Sequence, residues 1–297
     1  MIGELTQQKE VSTRVEGYWY LVGKHLKKHK LAMFSMFLLA IIVLLCVFGP
    51  YFTRYTMNEM GNATTDVLQA PSLRHWFGTD ELGRDVFTRV LLGGRISLLV
   101  GFSSVFSALL VGIIVGAYAG YYGGILDTVL MRFTDIMFSI PVLPLLVVLS
   151  SVIPGAGVWK IVLIIALFGW MTDARIIRGL FLSLRESEFT EAARAIGVSN
   201  TGIIWRHLLP NALAPIIVSA TLGVGGNIIY EAALSYLGFG VMPPTPSWGN
   251  ILQNAQYAMT IAPWLVWTPG LAILITAIGF NFLGDGLRDA MDPRLYR

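Results

Sequence analysis

The sequence is poor in charged residues and in cysteine. Charged residues make up 13% of the 297 positions, against about 25% in typical soluble domains. The single cysteine, Cys46, lies inside an apolar run, so no internal disulfide and no cysteine-based metal site can form. Its simplest interpretation is a small buried apolar side chain. With 55% hydrophobic residues, the composition predicts one membrane domain that crosses the bilayer several times.

Motifs for nucleotide hydrolysis and for common catalytic centres are missing as well. A phosphate-binding loop ends in Gly-Lys-Ser/Thr, whereas the Gly23-Lys24 pair is followed by His25. No G-x-S-x-G, H-E-x-x-H or C-x-x-C pattern occurs. A membrane enzyme would need such a cluster, and a standalone carrier would be expected to show an internal repeat, of which we find no convincing example. We therefore predict a non-enzymatic chain without its own cofactor, metal site or nucleic-acid partner.

Six apolar runs are long enough to cross a hydrocarbon core, which takes about 20 helical residues. They predict an all-α polytopic membrane protein with six transmembrane helices at 31–52, 96–118, 125–152, 158–177, 209–236 and 263–283. The third run is the least regular, because it contains three charged residues and two prolines.

The distribution of lysine and arginine orients these helices, because both residue types accumulate in cytosolic segments. The stretch 24–30, KHLKKHK, precedes the first helix, and the predicted outer loops 153–157 and 237–262 contain neither residue type. The predicted cytosolic connection between the fourth and fifth helices and the C-terminal tail contain Arg178, Arg185, Arg194, Arg206, Arg288, Arg294 and Arg297. The arginine-containing loop 53–95 opposes this orientation, but the other segments outweigh it. We expect both termini in the cytosol.

The basic stretch 24–30 is typical of a juxtamembrane anchor on anionic lipid, which makes the membrane a partner of the chain. His25 and His29 have a spacing that can ligate a metal, but no acid or cysteine nearby completes a site. We accordingly divide the chain into a cytosolic N-terminal segment, 1–30, and a transmembrane domain, 31–297.

Charged residues inside predicted spans are rare, and they are usually paired or functional. In the third run, Arg132 and Asp135 lie three residues apart, and Asp127 lies close to the same face. An internal ion cluster of these residues would fix helix packing; the alternative is a role in gating or in a polar path. Glu231 in the fifth run raises the same question, with no partner evident from the sequence.

Two glycine-rich stretches have different predicted roles. Gly112, Gly116 and Gly120 fall on one face of the second helix and would allow another helix to approach closely. In the fifth run, Pro215 and a group of glycines weaken helical regularity, which makes this helix the best candidate to line a polar path. The glycines concerned are Gly223, Gly225 and Gly226.

A polar segment, SEFTEAARAIGVSNTGIIWRHLLPNALAP at 187–215, interrupts the apolar sequence. Ser187 is a candidate N-cap and Gly197 a stop for a short helix over 186–196. Ala192 and Ala193 would let a partner surface come close, while Glu191 and Arg194 could fix its register through charged hydrogen bonds. From the residues alone, a plug for a groove on another protein and a solvated loop are equally good interpretations.

This segment resembles the EAA loop of ABC importer permeases. Glu191, Ala192, Ala193, Gly197, Leu209 and Pro210 match that pattern, and His207 replaces its isoleucine. Four other stretches are similar to the second, C-type permease of dipeptide, oligopeptide and nickel importers: HWFGTDELGRDVFTRVLLGGRISLLVG, AGYYGGILDTVLMRFTDIMFSIP, SYLGFGVMPPTPSWGNIL and FLGDGLRDAMDPR. The resemblance covers roughly residues 20 to 297.

The resemblance implies a type I ABC importer fold in a prokaryotic inner or plasma membrane. The loop at about 186–208 would form the coupling helix that docks on an ATPase subunit. The implied partners are a homologous second permease, two P-loop ATPases that bind ATP and Mg, and an extracytoplasmic substrate-binding protein. Short peptides are the expected substrate, with nickel or another small solute as the alternative.

The predicted outer segments would offer a surface to such a binding protein. Val86, Val90 and Leu91 form an apolar stripe edged by arginines, which suggests an interfacial helix on the outer surface. Residues 242–246, MPPTP, are predicted to be stiff and extended. A rigid docking platform and ordinary loop packing account for these features equally well.

Overall fold

The computed structural model describes residues 17–57, 59–62, 65–155 and 157–292. Arg294, Arg297 and most of the predicted N-terminal segment lie outside these ranges. The described chain is helical, with one isolated bridge between Thr79 and Asp85 as its only β pairing. The helices are α1 (Tyr18–Leu26), α2 (Lys30–Phe48), α3 (Val86–Tyr122), α4 (Gly124–Phe138), α5 (Val142–Val152), α6 (Val158–Leu184), α7 (Glu188–Ala195), α8 (Asn200–Tyr236), α9 (Trp248–Ala255) and α10 (Trp264–Ala290). The all-α prediction is confirmed.

Four of the described helices, α2, α3, α8 and α10, are long and apolar enough to cross a membrane. The pair α4 and α5 meets this condition only jointly, and it is bent by 85°. The prediction of one continuous third helix over 125–152 is therefore wrong. Pro141 explains the break, because its ring disfavours helical backbone at Ile140 and cannot donate a helical hydrogen bond.

The predicted fourth span corresponds to α6, which is 27 residues long. It carries Lys160, Asp173, Arg175 and Arg178, and it is not among the helices that are apolar enough to span by composition. The described ranges thus contain four spans, or five with the bent pair. The total of six stays a prediction.

Helix α3 packs closely against α6 along its glycine stripe. A Cβ atom added to Gly112 would lie 2.7 Å from the Asp173 Cβ, and one added to Gly116 would lie 2.5 Å from the Ala174 carbonyl oxygen. At Gly120 the nearest atom would be the Arg178 carbonyl oxygen, at 2.7 Å. These distances leave no room for a side chain, so the predicted close helix approach is confirmed.

The predicted interfacial helix at residues 86–91 is wrong. These residues form the first turns of the 37-residue α3, and Val86, Val90 and Leu91 are buried. Asp85 caps the helix by accepting hydrogen bonds from the Thr88 backbone N–H at 2.8 Å and from the Thr88 hydroxyl at 2.7 Å. The stripe therefore faces the protein interior rather than a membrane surface.

A buried network of charged side chains stabilises the segment before α3. The Asp80 carboxylate accepts a hydrogen bond from the Arg84 Nε at 2.7 Å, and the Arg89 Nε lies 3.5 Å from the same oxygen. Burial, and to a smaller extent the Asp80 carboxylate, raise the pKa of Glu81 above its ordinary value. The arginines of the loop 53–95 opposed the predicted orientation. Two of them, Arg84 and Arg89, are buried and paired with Asp80.

Helix α9 lies among α3, α8 and α10 and joins them. The Trp248 side chain is fully buried, and its Nε1 donates a hydrogen bond of 2.9 Å to the Val90 carbonyl of α3. It packs in an apolar cluster with Leu98, Val224, Ile228 and Phe280. The 8-residue helix therefore closes one end of the bundle as part of its core.

Candidate coupling loop and central cavity

The polar segment folds as α7 followed directly by the start of α8. Ser187 is the N-cap residue, with extended backbone at φ −79° and ψ 151°, as predicted. Its hydroxyl donates to the Leu184 carbonyl at 2.5 Å instead of capping α7, and the Thr190 hydroxyl donates to the same carbonyl at 2.9 Å. These hydrogen bonds connect α7 to the end of α6.

Gly197 ends α7 with a left-handed residue, at φ +80°. The Gly197 N–H donates to the Arg194 carbonyl and the Val198 N–H donates to the Ala193 carbonyl, both at 3.0 Å. This pair of bonds is the Schellman arrangement, which favours glycine because a Cβ is strained at positive φ. A Cβ at Gly197 would meet no atom within 4 Å. The requirement for glycine is therefore conformational.

The two adjacent alanines point in different directions. Ala193 is buried in a cluster with Ile203, Ile204 and Leu208, whereas Ala192 is exposed. Of the predicted coupling residues, Ala193 therefore holds α7 on its own chain, and Ala192 belongs to the free surface.

The exposed face of α7 has an apolar stripe that the sequence reasoning missed. Phe189 is 40% exposed and Ile196 80% exposed, and Ala192 lies between them at helical spacing. The signal was available as an apolar pattern at i, i+3 and i+7. Glu191 and Arg194 are also exposed, and the Arg194 guanidinium lies 5.6 Å from the centre of the Tyr121 ring.

Leu209 and Pro210 lie in α8, just after a π-helical stretch, Ile203–Leu208. The Leu209 N–H donates to the Ile204 carbonyl, five residues back, so the turn is wider than in an α-helix. A wide turn fits before Pro210, which has no N–H and whose ring crowds the preceding turn. His207, where the EAA pattern is broken, belongs to this stretch.

The predicted cluster of Arg132, Asp135 and Asp127 is wrong. Asp127 forms two hydrogen bonds with Arg178 of α6, one of them at 2.6 Å, and Asp135 accepts one of 2.6 Å from Arg175 of α6. Arg132 is exposed and takes no part in these pairs. The acids pair between helices because α6 lies beside α4 and places Arg175 and Arg178 within reach of the two carboxylates.

Glu231 is fully buried in the packing between helices. Its carboxylate accepts hydrogen bonds from the Ser97 hydroxyl at 2.7 Å and from the Ser235 hydroxyl at 2.6 Å. The Ser97 oxygen in turn accepts the Trp248 backbone N–H at 3.2 Å. This network links α3, α8 and α9, and Glu231 does not line the cavity described next.

A cavity of about 800 Å³ lies between α3, α5, α6 and α8. Gly223 and Gly226 line it together with Pro215, whereas Gly225 packs on α10, where an added Cβ would lie 3.1 Å from the Ala277 carbonyl oxygen. Arg132 and Asp135 do not line it. Two of the six predicted path residues thus face the cavity.

Comparison with known proteins identifies the family of this chain. Residues 112–297 match the family model described as "Binding-protein-dependent transport system inner membrane component". The chain belongs to this family. Residues 17–71 also match the N-terminal TM domain of oligopeptide transport permease C. Membership identifies the chain as a transport permease rather than an enzyme, as predicted.

Several relatives of the permease have known names. The dipeptide transport system permease protein DppC of Alkalihalophilus pseudofirmus is 42% identical, over 93% of this chain and 90% of the relative. The oligopeptide transport system permease protein OppC of Bacillus subtilis is 39% identical, over 97% and 93%. The glutathione transport system permease protein GsiD of Shigella flexneri is 40% identical, over 93% and 91%. The family resemblance is thereby confirmed.

The fold is also that of a solved importer. A chain of the MetNI methionine ABC transporter, in inward-facing conformations, matches with a TM-score of 0.57 and 23% identity. The match covers 68% of this permease and 96% of that chain. At this identity the likeness concerns the fold alone, and it confirms the predicted type I importer architecture.

Proposed function

We propose that this permease is one transmembrane subunit of an ATP-driven importer that moves short peptides into the cytoplasm by alternating access. Its similarity to dipeptide, oligopeptide and glutathione permeases over nearly the whole chain supports this substrate class. The partners are a homologous second permease, two P-loop ATPases that bind ATP and Mg, and an extracytoplasmic binding protein. Both termini lie in the cytosol.

The exposed face of α7 carries the proposal. Its outward residues Phe189, Ala192 and Ile196 are apolar, and Glu191 and Arg194 stand beside them. An apolar stripe with flanking charges suits a groove on a partner protein, because burying the stripe contributes affinity and the charges set its register. We assign this face, together with Gly197, Leu209 and Pro210, to the contact with an ATPase subunit.

Helix α8 provides the route from this contact to the transport path. It runs as one helix from Asn200, next to the coupling loop, to Tyr236, and Gly223 and Gly226 in its middle line the cavity. In our mechanism, ATP binding closes the ATPase dimer, which pulls α7 and opens the cavity outward. Hydrolysis resets it inward. Nucleotide and peptide shift this equilibrium only by their different affinities for the two states.

The test is a mild-detergent purification of the tagged permease from its native membrane, with the bound proteins identified by mass. We expect recovery of a second permease and two P-loop ATPases. Recovery of this chain alone, where other complexes survive, would contradict the coupling assignment. The recovered complex and its binding protein are then reconstituted in proteoliposomes, and we expect ATP-dependent uptake of labelled dipeptide. Uptake of nickel instead would contradict the peptide assignment.

A further inference from the structure

An acidic side chain that the coupling mechanism does not use lines the central cavity. Asp173 of α6 is 8% exposed, and its Oδ1 accepts a hydrogen bond of 2.6 Å from the Ser219 hydroxyl of α8. In the described ranges this is its only side-chain partner, and it forms no ion pair. Arg288 also lines the cavity, but it is exposed on α10 and not paired with Asp173.

Three other acids of the helix bundle have partners within the protein. Asp127 and Asp135 each have an arginine of α6, and Glu231 has two serine hydroxyls. A carboxylate with one hydroxyl partner in such surroundings is costly to keep, because removing a charge from water is unfavourable unless it is paired. The position of Asp173 therefore indicates a cationic partner that enters the cavity.

The cavity offers further hydrogen-bonding groups without partners. Asn227, 8% exposed, and Tyr230 line it one and two turns from Gly223, and neither side chain has a hydrogen-bond partner within the described part of the chain. Apolar residues such as Leu146 and Phe168 complete the wall. A volume of about 800 Å³ is in the usual range for a small-molecule site, where a few polar groups orient a ligand between apolar walls.

We propose that Asp173 binds the α-ammonium group of the transported peptide, while Asn227 and Tyr230 hydrogen-bond to its amide groups. The inference rests on the proposed function and assigns a substrate contact to it. A peptide amino terminus is mostly protonated at neutral pH, since its pKa is about 8. The ammonium group supplies the positive charge that the buried carboxylate lacks. The apolar wall accommodates different peptide side chains without selecting among them.

The direct test is equilibrium binding to the whole permease–ATPase complex in nanodiscs, without nucleotide or binding protein. The probes are a labelled dipeptide with a free amino terminus and its N-acetylated form. We expect the wild type to bind the free dipeptide at least tenfold more tightly, and Asp173→Asn to remove this preference. Equal affinity in the wild type, or a preference that survives in Asp173→Asn, would overturn the proposal.

Two control variants separate charge from packing. Ser219→Ala keeps the carboxylate and should keep the preference for the free amino terminus. Asp135→Asn makes the same acid-to-amide change at a carboxylate outside the cavity lining, and it should also keep the preference. Loss of the preference in Asp135→Asn would mean that it reports general loss of charge, which contradicts a specific contact at Asp173.

Uptake in proteoliposomes distinguishes failure of this inference from failure of the proposed function. The wild-type complex should accumulate dipeptide, and Asp173→Asn should lower the initial rate at least tenfold while ATP hydrolysis stimulated by the loaded binding protein stays within twofold. Wild-type uptake with an unimpaired Asp173→Asn complex would reject the contact alone. No dipeptide uptake by the wild type would reject the peptide importer itself.

Discussion

The Ser97 hydroxyl of α3 donates a hydrogen bond of 2.7 Å to the Glu231 carboxylate of α8, although the two residues are 134 positions apart. Ser97 also accepts the first N–H of α9, from Trp248. One serine thus ties together three helices around a fully buried acid. From the sequence, Glu231 was a candidate path residue. In the structure, its carboxylate is instead part of a buried network that holds these helices together.

We predict that Ser97→Ala destabilises the permease, because it leaves both the Glu231 oxygen and the Trp248 N–H without this partner. The expected cost is about 1–3 kcal/mol, as for other unsatisfied buried polar groups. Thermal unfolding of the purified complex in detergent measures it. The control is Ser103→Ala, a half-exposed serine of the same helix whose hydroxyl has no hydrogen bond among the described residues. An equal loss in both variants would contradict the role of the Ser97 network.

Gly197→Val should uncouple ATP hydrolysis from uptake. Valine is strained at φ +80°, by roughly 1–2 kcal/mol or more for a β-branched residue, so the end of α7 must rearrange. Gly197→Asn should be milder, because asparagine tolerates this conformation. Uptake and hydrolysis are measured side by side in proteoliposomes. Gly179→Ala, in open space on α6, should behave as wild type; wild-type uptake by Gly197→Val would disprove the role.

The neighbouring alanines should respond differently to leucine. Ala192→Leu places bulk on the exposed face, so we expect it to weaken retention of the ATPase subunits without changing the stability of the permease. Ala193→Leu overfills a buried site and should cost about 1–3 kcal/mol of stability. Pull-down yield and thermal unfolding are compared for both. Equal effects on both measurements would show that the two positions do not face opposite ways.

Glu191→Ala removes the acid beside the apolar stripe of α7. We expect membrane insertion to be unchanged and uptake to fall at least tenfold, because the ATPase contact loses a charged hydrogen bond. Glu188→Ala, an exposed acid in the same helix, is the matched control and should have the smaller effect. Uptake at the wild-type rate in Glu191→Ala would contradict its assignment to the contact with an ATPase subunit.

The ion pair between Asp127 and Arg178 can be tested by exchange. Each single reversal, Asp127→Arg or Arg178→Asp, places like charges together and should lower stability by about 1–3 kcal/mol. The double variant restores opposite charges and should recover part of the loss. A double-mutant cycle on thermal unfolding measures the coupling. Additive losses would show that the two side chains do not interact in the membrane.

The sequence by itself determined the helical class, most of the span positions and the polar segment that folds as α7. Length and apolarity suffice for spans, because a backbone in lipid must satisfy its own hydrogen bonds. The glycine stripe of α3 was also predictable, since spacing by four residues defines one helix face. The end of α7 at Gly197 follows from local backbone preference.

Only the tertiary structure decided which side chains meet. Spacing along α4 suggested that Asp135 pairs with Arg132, but the close packing of α6 supplied Arg175 and Arg178 instead. Asp173 was not selected from the sequence, although an acid inside an apolar run was a usable signal. Whether a polar residue in a span is a joint, like Glu231, or faces a cavity, like Asp173, depends on how neighbouring helices rotate against each other, and no single helix encodes that rotation.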